Sequence, residues 1–104
     1  MKNFRTYQLA VQFYRLSQAL ALSGNARDQL QRASRSIVLN LAEGRGKPSL
    51  ADHKRFFYIA MGSLRECQAI LDLELLGQSE ASALLDKLGA HLHRLIKNAV
   101  IPPK

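Results

Sequence analysis

The chain is poor in the residues that usually advertise chemistry: across 104 residues it carries one cysteine, no tryptophan and three prolines. A single thiol, Cys67, excludes an internal disulfide and fits a reducing compartment. No apolar run approaches the ~20 residues of a membrane-spanning helix, and no charged-then-apolar segment opens the chain as a secretion signal would. The expected address is therefore the cytoplasm, with no membrane partner. Acid is scarce as well: 8 Asp+Glu stand against 15 Lys+Arg, leaving +7 and a pI near 10.1. That imbalance favours a nucleic acid or another anionic surface as partner. Alternating polar and apolar runs bounded by turns are missing, which argues against strands.

What is present is helical periodicity, punctuated by glycine and capping residues, in a chain of single-domain length spanning 1–104. A first helix is predicted from near Phe4 to Ser23, with Leu9, Phe13, Leu16 and Leu20 on one face. Gly24 suits a left-handed exit from it, and Asn25 suits the cap of the next helix. The second helix, Ala26 to Glu43, carries the stripe Leu30, Ala33, Ser34, Ile37, Val38 and Leu41. Gly44 and Gly46 are expected to terminate it, and Pro48 blocks continuation. Ser49-Leu-Ala-Asp52 reads as a capping box, with aspartate for the usual glutamate, opening a third helix from Leu50 to Leu76 that Gly77 closes. Ser79 caps a fourth, striped by Leu84, Leu85, Leu88, Leu92, Leu95, Ile96 and Ala99 and stopped by Pro102 and Pro103. Short connections between long helices imply antiparallel neighbours, hence an all-α, up-down-up-down four-helix bundle.

Helices one and three each show a second apolar stripe. On the third, His53, Phe57, Ala60, Leu64, Cys67, Leu71 and Leu75 form the core side, while Ile59, Ile70 and Leu73 gather elsewhere. On the first, Tyr7, Ala10, Val11, Tyr14 and Ala21 lie beside the core stripe. A bundle needs one stripe per helix, so the second ones suggest contacts between copies, with Tyr7, Val11, Tyr14, Ile59, Ile70 and Leu73 as the interface. The simpler alternative is that they widen the core face.

Cations are segregated. Arg32 and Arg35 point away from the core of helix two, Arg45 and Lys47 sit in the glycine turn, and Lys54 and Arg55 open helix three. Lys87, Arg94 and Lys97 form a ridge on helix four. Between Phe56 and Asp86, by contrast, Arg65 is the only arginine among Glu66, Asp72, Glu74, Glu80 and Asp86. Arg32, Arg35, Arg45, Lys47, Lys54, Arg55, Arg94 and Lys97 are the candidate phosphate contacts. Such binding would be salt-sensitive and weakly selective for sequence. Local pairing of Arg35 with Glu43 and of Arg55 with Asp52 would weaken it.

Catalytic constellations are missing. His91 and His93 diverge by roughly 200° on a helix and cannot chelate one metal. Cys67 lies in a core stripe, where a thiol is inert, and Gly44-Arg-Gly-Lys47 is too short for a phosphate-binding loop. Asn40, Glu43, Asp52, Ser63 and Glu66 are expected to hydrogen-bond between helices or subunits. No enzyme activity, cofactor or metal is expected.

Ser36-Ile37, Asn40-x-Ala42-Glu43-Gly44 and Gly62-Ser63, joined through Gly46-Lys47-Pro48-Ser49, resemble the four-helix-bundle family of ribosomal-RNA intervening-sequence proteins. Other segments bring the likeness closer to the accessory variability-determinant proteins of diversity-generating retroelements. These are Arg27-Asp-Gln, Gln31-Arg-Ala-Ser34, Phe56-Phe-x-Ile-Ala60, Gly62-Ser-x-x-Glu-Cys67 and Ala69-Ile-Leu-Asp72. The resemblance spans roughly residues 4 to 100. It implies a homopentameric barrel with a positive outer surface that binds DNA or RNA, and a reverse transcriptase as partner in mutagenic copying of a template RNA. The alternative is an oligomeric protein-interaction scaffold of the intervening-sequence type, docking an acidic protein.

Overall fold

A computed structural model describes residues 4–99. The elements are α1 (Arg5–Gln18), α2 (Gly24–Arg45), α3 (Leu50–Leu73) and α4 (Glu80–Asn98), with no strand among the described residues. The helices stand at the corners of a square: α2 packs on α1 and α3, and α4 closes against α3 and α1. Leu9 and Phe13 of α1, Leu30, Ile37 and Leu41 of α2, Phe57, Leu64 and Leu71 of α3, and Leu85, Leu88 and Leu92 of α4 meet in one buried core. Each such side chain contributes about 1.5–3 kcal/mol over its exposed state. No described helix is long and apolar enough to cross a membrane.

The helix ends differ from the sequence expectation in instructive ways. The first helix stops at Gln18 instead of Ser23, because the amides of Ala19 and Leu20 fold back on the Leu16 and Ser17 carbonyls at 3.1 and 3.2 Å. Leu20 and Leu22 then pack against the core from the connection. Ser23, not Asn25, is the N-cap residue of α2, and Gly24 holds the left-handed backbone there, at φ 58°. The serines before α3 and α4 cap as expected: Ser49 Oγ accepts the Asp52 amide at 3.1 Å and Ser79 Oγ accepts the Ser82 amide at 3.2 Å. The Pro102–Pro103 stop lies outside the described residues.

Gly44 does not end α2. It is buried one residue before the last of that helix, and a Cβ there would stand 2.9 Å from both Phe56 Cβ and Phe57 Cε1. Glycine is required at this point for the close approach of α2 to α3, not for a stop.

The exit from α3 comes earlier than Gly77. Leu75 takes a left-handed backbone at φ 61°, its amide bonding the Asp72 carbonyl at 3.1 Å while the Leu76 amide reaches the Leu71 carbonyl at 2.7 Å. This is the paired-bond helix exit usually made with glycine. It turns Leu76 back onto the core and throws Leu75, placed by periodicity in the core stripe, out to 92% exposure.

Along α2 and α3 the contacts run in opposite senses. Arg32 pairs with Glu66, Ser36 with Ser63, and Gly44 abuts Phe56, so numbers rise on one helix as they fall on the other. Asn40 donates to the Ser36 carbonyl and hydroxyl at 2.9 and 3.1 Å, which ties the polar seam to α2.

Candidate nucleic-acid interface

The eight cations singled out from sequence fall into separate environments. Around the α2–α3 turn they are largely occupied. Lys47 Nζ lies 3.0 Å from a Glu43 carboxylate oxygen and 5.3 Å from the centre of the Phe56 ring. Arg55 sits 3.8 Å from Asp52 and 4.5 Å over the same Phe56 ring. Arg45 lies 4.6 Å over Phe4. His53 Nε2–H donates to the Lys47 carbonyl, fixing the backbone of the turn. Arg32 is held by Glu66 at 2.6 Å. Glu43 thus serves Lys47 rather than Arg35, because the turn brings the lysine back one helical turn beyond it.

Two grooves hold Arg35, Lys54 and Lys97, and Arg94 lines neither. Between α1 and α2, Val11, Tyr14, Arg15, Arg35 and Val38 line a recess of about 280 Å³. Between α3 and α4 lies a larger groove of about 420 Å³, lined by Lys54, Tyr58, Met61, Arg65, His93, Ile96 and Lys97. The α3 residues recur one and two turns apart and so share a side, as do His93, Ile96 and Lys97 on α4. No carboxylate lines this groove, and among the described residues no ion pair reaches Lys54, Arg65 or Lys97. Tyr58 is 57% exposed and has no ring or hydrogen-bond partner among those residues. Arg65 and His93 were absent from the sequence candidates. Arg65 looked isolated in an acidic stretch, yet its helical spacing from Lys54 and Tyr58 carried the signal.

Arg94 faces the other side of α4. Half-buried His91 lies there, its pKa lowered first by desolvation and then by Arg94, Arg5 and Lys87. The two α4 histidines therefore belong to different surfaces. No group of three His, Cys, Asp or Glu among the described residues is placed to hold a metal ion.

The model of the 23S rRNA-intervening sequence protein family matches residues 4–98. The chain belongs to that family. No curated protein matches it.

In this intervening-sequence protein the second apolar stripes are divided between core and surface. Ile70, assigned from sequence to an interface, is only 6% exposed: it turns under the α2 side of α3 and joins the protomer's own core. Tyr7 packs at the core's edge, its ring 6.4 Å from that of Phe4. Val11 and Tyr14 remain half-open in the α1–α2 groove, and Ile59 and Leu73 are exposed on α3. Cys67 is buried in the same core, its thiol pushed up to about 12 by burial and by Glu66, with Arg32 acting the other way.

Proposed function

We propose that the chain is a non-enzymatic, oligomeric accessory protein that binds nucleic acid through its basic surface. In this reading it assists the reverse transcriptase of a diversity-generating retroelement in the cytoplasm. The observation that carries the nucleic-acid assignment is the α3–α4 groove, where Lys54, Arg65 and Lys97 converge with no acid among the lining residues. Unneutralised cations converging from two helices hold phosphates and release counterions when they do so. The reverse transcriptase enters through the sequence resemblance alone.

The protomer in this reading is an antiparallel up-down-up-down bundle, a topology supported by the opposed contacts of α2 and α3 and by the short connections. Five such protomers close a ring. Val11 and Tyr14 of α1 and Ile59 and Leu73 of α3 sit on helices at opposite corners of the square. Unlike faces meeting head to tail form rings, whereas like faces form two-fold dimers. The number five comes from the resemblance.

A salt series on the full chain tests the assignment, using labelled RNA and DNA oligonucleotides. The expected result is a linear fall of log affinity with log salt, at a slope of about −0.7 per neutralised phosphate on single strands. Affinity indifferent to salt, or no binding at all, removes the reading. Light scattering tests assembly: a strict monomer at micromolar concentration removes the ring.

A second reading, an oligomeric protein-interaction scaffold without a nucleic-acid role, is favoured by one corner of the bundle. There Leu73 and Leu75 stand exposed beside Asp72 and Glu74, the kind of apolar corner that partners cover. Intact assembly without nucleic-acid binding would select it.

A further inference from the structure

We propose that the α3–α4 groove takes single-stranded nucleic acid, with one base laid on the ring of Tyr58 and the flanking phosphates held by Lys54, Arg65 and Lys97. The inference rests on the nucleic-acid reading above and names the form of ligand that this groove accepts.

Three features lead to it. The first is the ring itself. Tyr58 is open to solvent, and no described residue stacks on it or bonds its hydroxyl, although cations stand on either side. An exposed ring within a cationic groove is the usual platform for an unpaired base, because every base has a π face and stacking tolerates any sequence.

The second is the order of charges along the groove. Lys54 stands one helical turn before Tyr58, roughly 6 Å along the axis, and Arg65 two turns beyond it, roughly 10 Å. Lys97 approaches from α4 on the opposite wall. A strand running along α3 would therefore meet charge, ring and charge in succession.

The third is the apolar lining. Met61 and Ile96 border the groove between the cations, and Ile96 is nearly buried. A duplex presents phosphates and groove edges and keeps its base faces stacked inside, so neither Tyr58 nor this apolar lining would gain from it. An unpaired base gains from both.

The contrast with the turn region is chemical. Phe56 is already covered by Lys47 and Arg55, and both cations already have carboxylate partners. Of these two regions, the groove is the one that offers an uncovered ring together with unpaired charge.

The test uses the full chain and fluorescence anisotropy with labelled mixed-sequence RNA and DNA single strands, beside duplexes of equal length. Tyr58→Ala is expected to weaken single-strand binding by about fivefold to a hundredfold, the range for losing one stacked base. Tyr58→Phe keeps the ring and should bind within about twofold of the natural chain. Duplex binding should be weaker than single-strand binding and unmoved by either change. Tyr58 is exposed, so neither variant threatens folding, which circular dichroism verifies. Should Tyr58→Ala bind single strands as the natural chain does, or duplex be preferred, the groove proposal fails while the broader nucleic-acid reading stands. A natural chain that binds no nucleic acid overturns the broader reading itself. A change of mass in light scattering for Tyr58→Ala also overturns the proposal, since a second copy would then occupy the groove.

Discussion

Phe56 and Tyr58 lie two residues apart on α3 and meet different surroundings. Phe56 faces the turn after α2, where Lys47 and Arg55 lie over its ring and Glu43 and Asp52 neutralise them. Tyr58 faces α4, where Lys54, Arg65 and Lys97 gather without an acid among the lining residues and leave the ring bare. The turn is the denser cluster when the chain is read as text, yet it is the quieter one in space. Charges close in sequence bring their own partners, since acids three or four residues away share a helix face. Charges assembled from two helices escape that local neutralisation. For a basic protein, the density of lysine and arginine along the chain is therefore a poor guide to where a polyanion will settle.

The comparison can be broken most severely at Gly44. A methyl there has no room against Phe56 and Phe57, so Gly44→Ala must push the start of α3 from the end of α2. Overpacking of this kind costs about 1–3 kcal/mol, readable as a fall in the urea midpoint. The turn should loosen while the α3–α4 groove, further along, keeps its affinity per folded molecule.

The next effect separates the two cation sets directly. Lys54→Gln with Lys97→Gln is expected to lower oligonucleotide affinity by about tenfold, or ~1.4 kcal/mol, and to flatten the salt slope by about two contacts. Lys47→Gln with Arg55→Gln should change affinity by less than about threefold, because those cations already have partners. Equal losses from both pairs would erase the distinction between the regions.

A smaller effect supplies a control that touches neither region. Leu75 holds a left-handed backbone that glycine adopts without penalty, so Leu75→Gly should raise stability by about 1 kcal/mol in thermal or urea unfolding. Nucleic-acid binding should not move.

The smallest effect concerns pH. His91 has its pKa below the ordinary histidine value of 6.5, through desolvation and the cations Arg94, Arg5 and Lys87. The unfolded chain thus takes up the proton before the folded one does. The contribution to stability is complete above 6.5 and is lost as pH falls through the lowered folded value. His91→Gln should remove that part of the acid sensitivity of the melting temperature and leave binding at neutral pH unchanged.

Much of this molecule was legible in its sequence. The stripes of α2 and α4, the serine caps of α3 and α4 and the buried state of Cys67 follow from periodicity and local hydrogen bonding alone. The failures share a cause. Gly44 reads as a stop because its contact lies across the bundle. Leu75 reads as core because the hand of a helix exit is not written in periodicity. Ile70 reads as surface because the neighbours of α3 in the bundle, and not its own periodicity, decide how wide the buried face becomes. His93 stands apart from Lys54 and Arg65 in the text for the same reason, since only the packing of α3 on α4 makes them neighbours.

The lone thiol of Cys67 has a use of its own. Sealed among the helices and strongly protonated, it can meet a reagent in solution only at moments when the bundle parts. With no rival thiol in the chain, the pace of its labelling counts those openings without any added probe. A bound strand or neighbouring copy that clamps the helices would register as slower labelling.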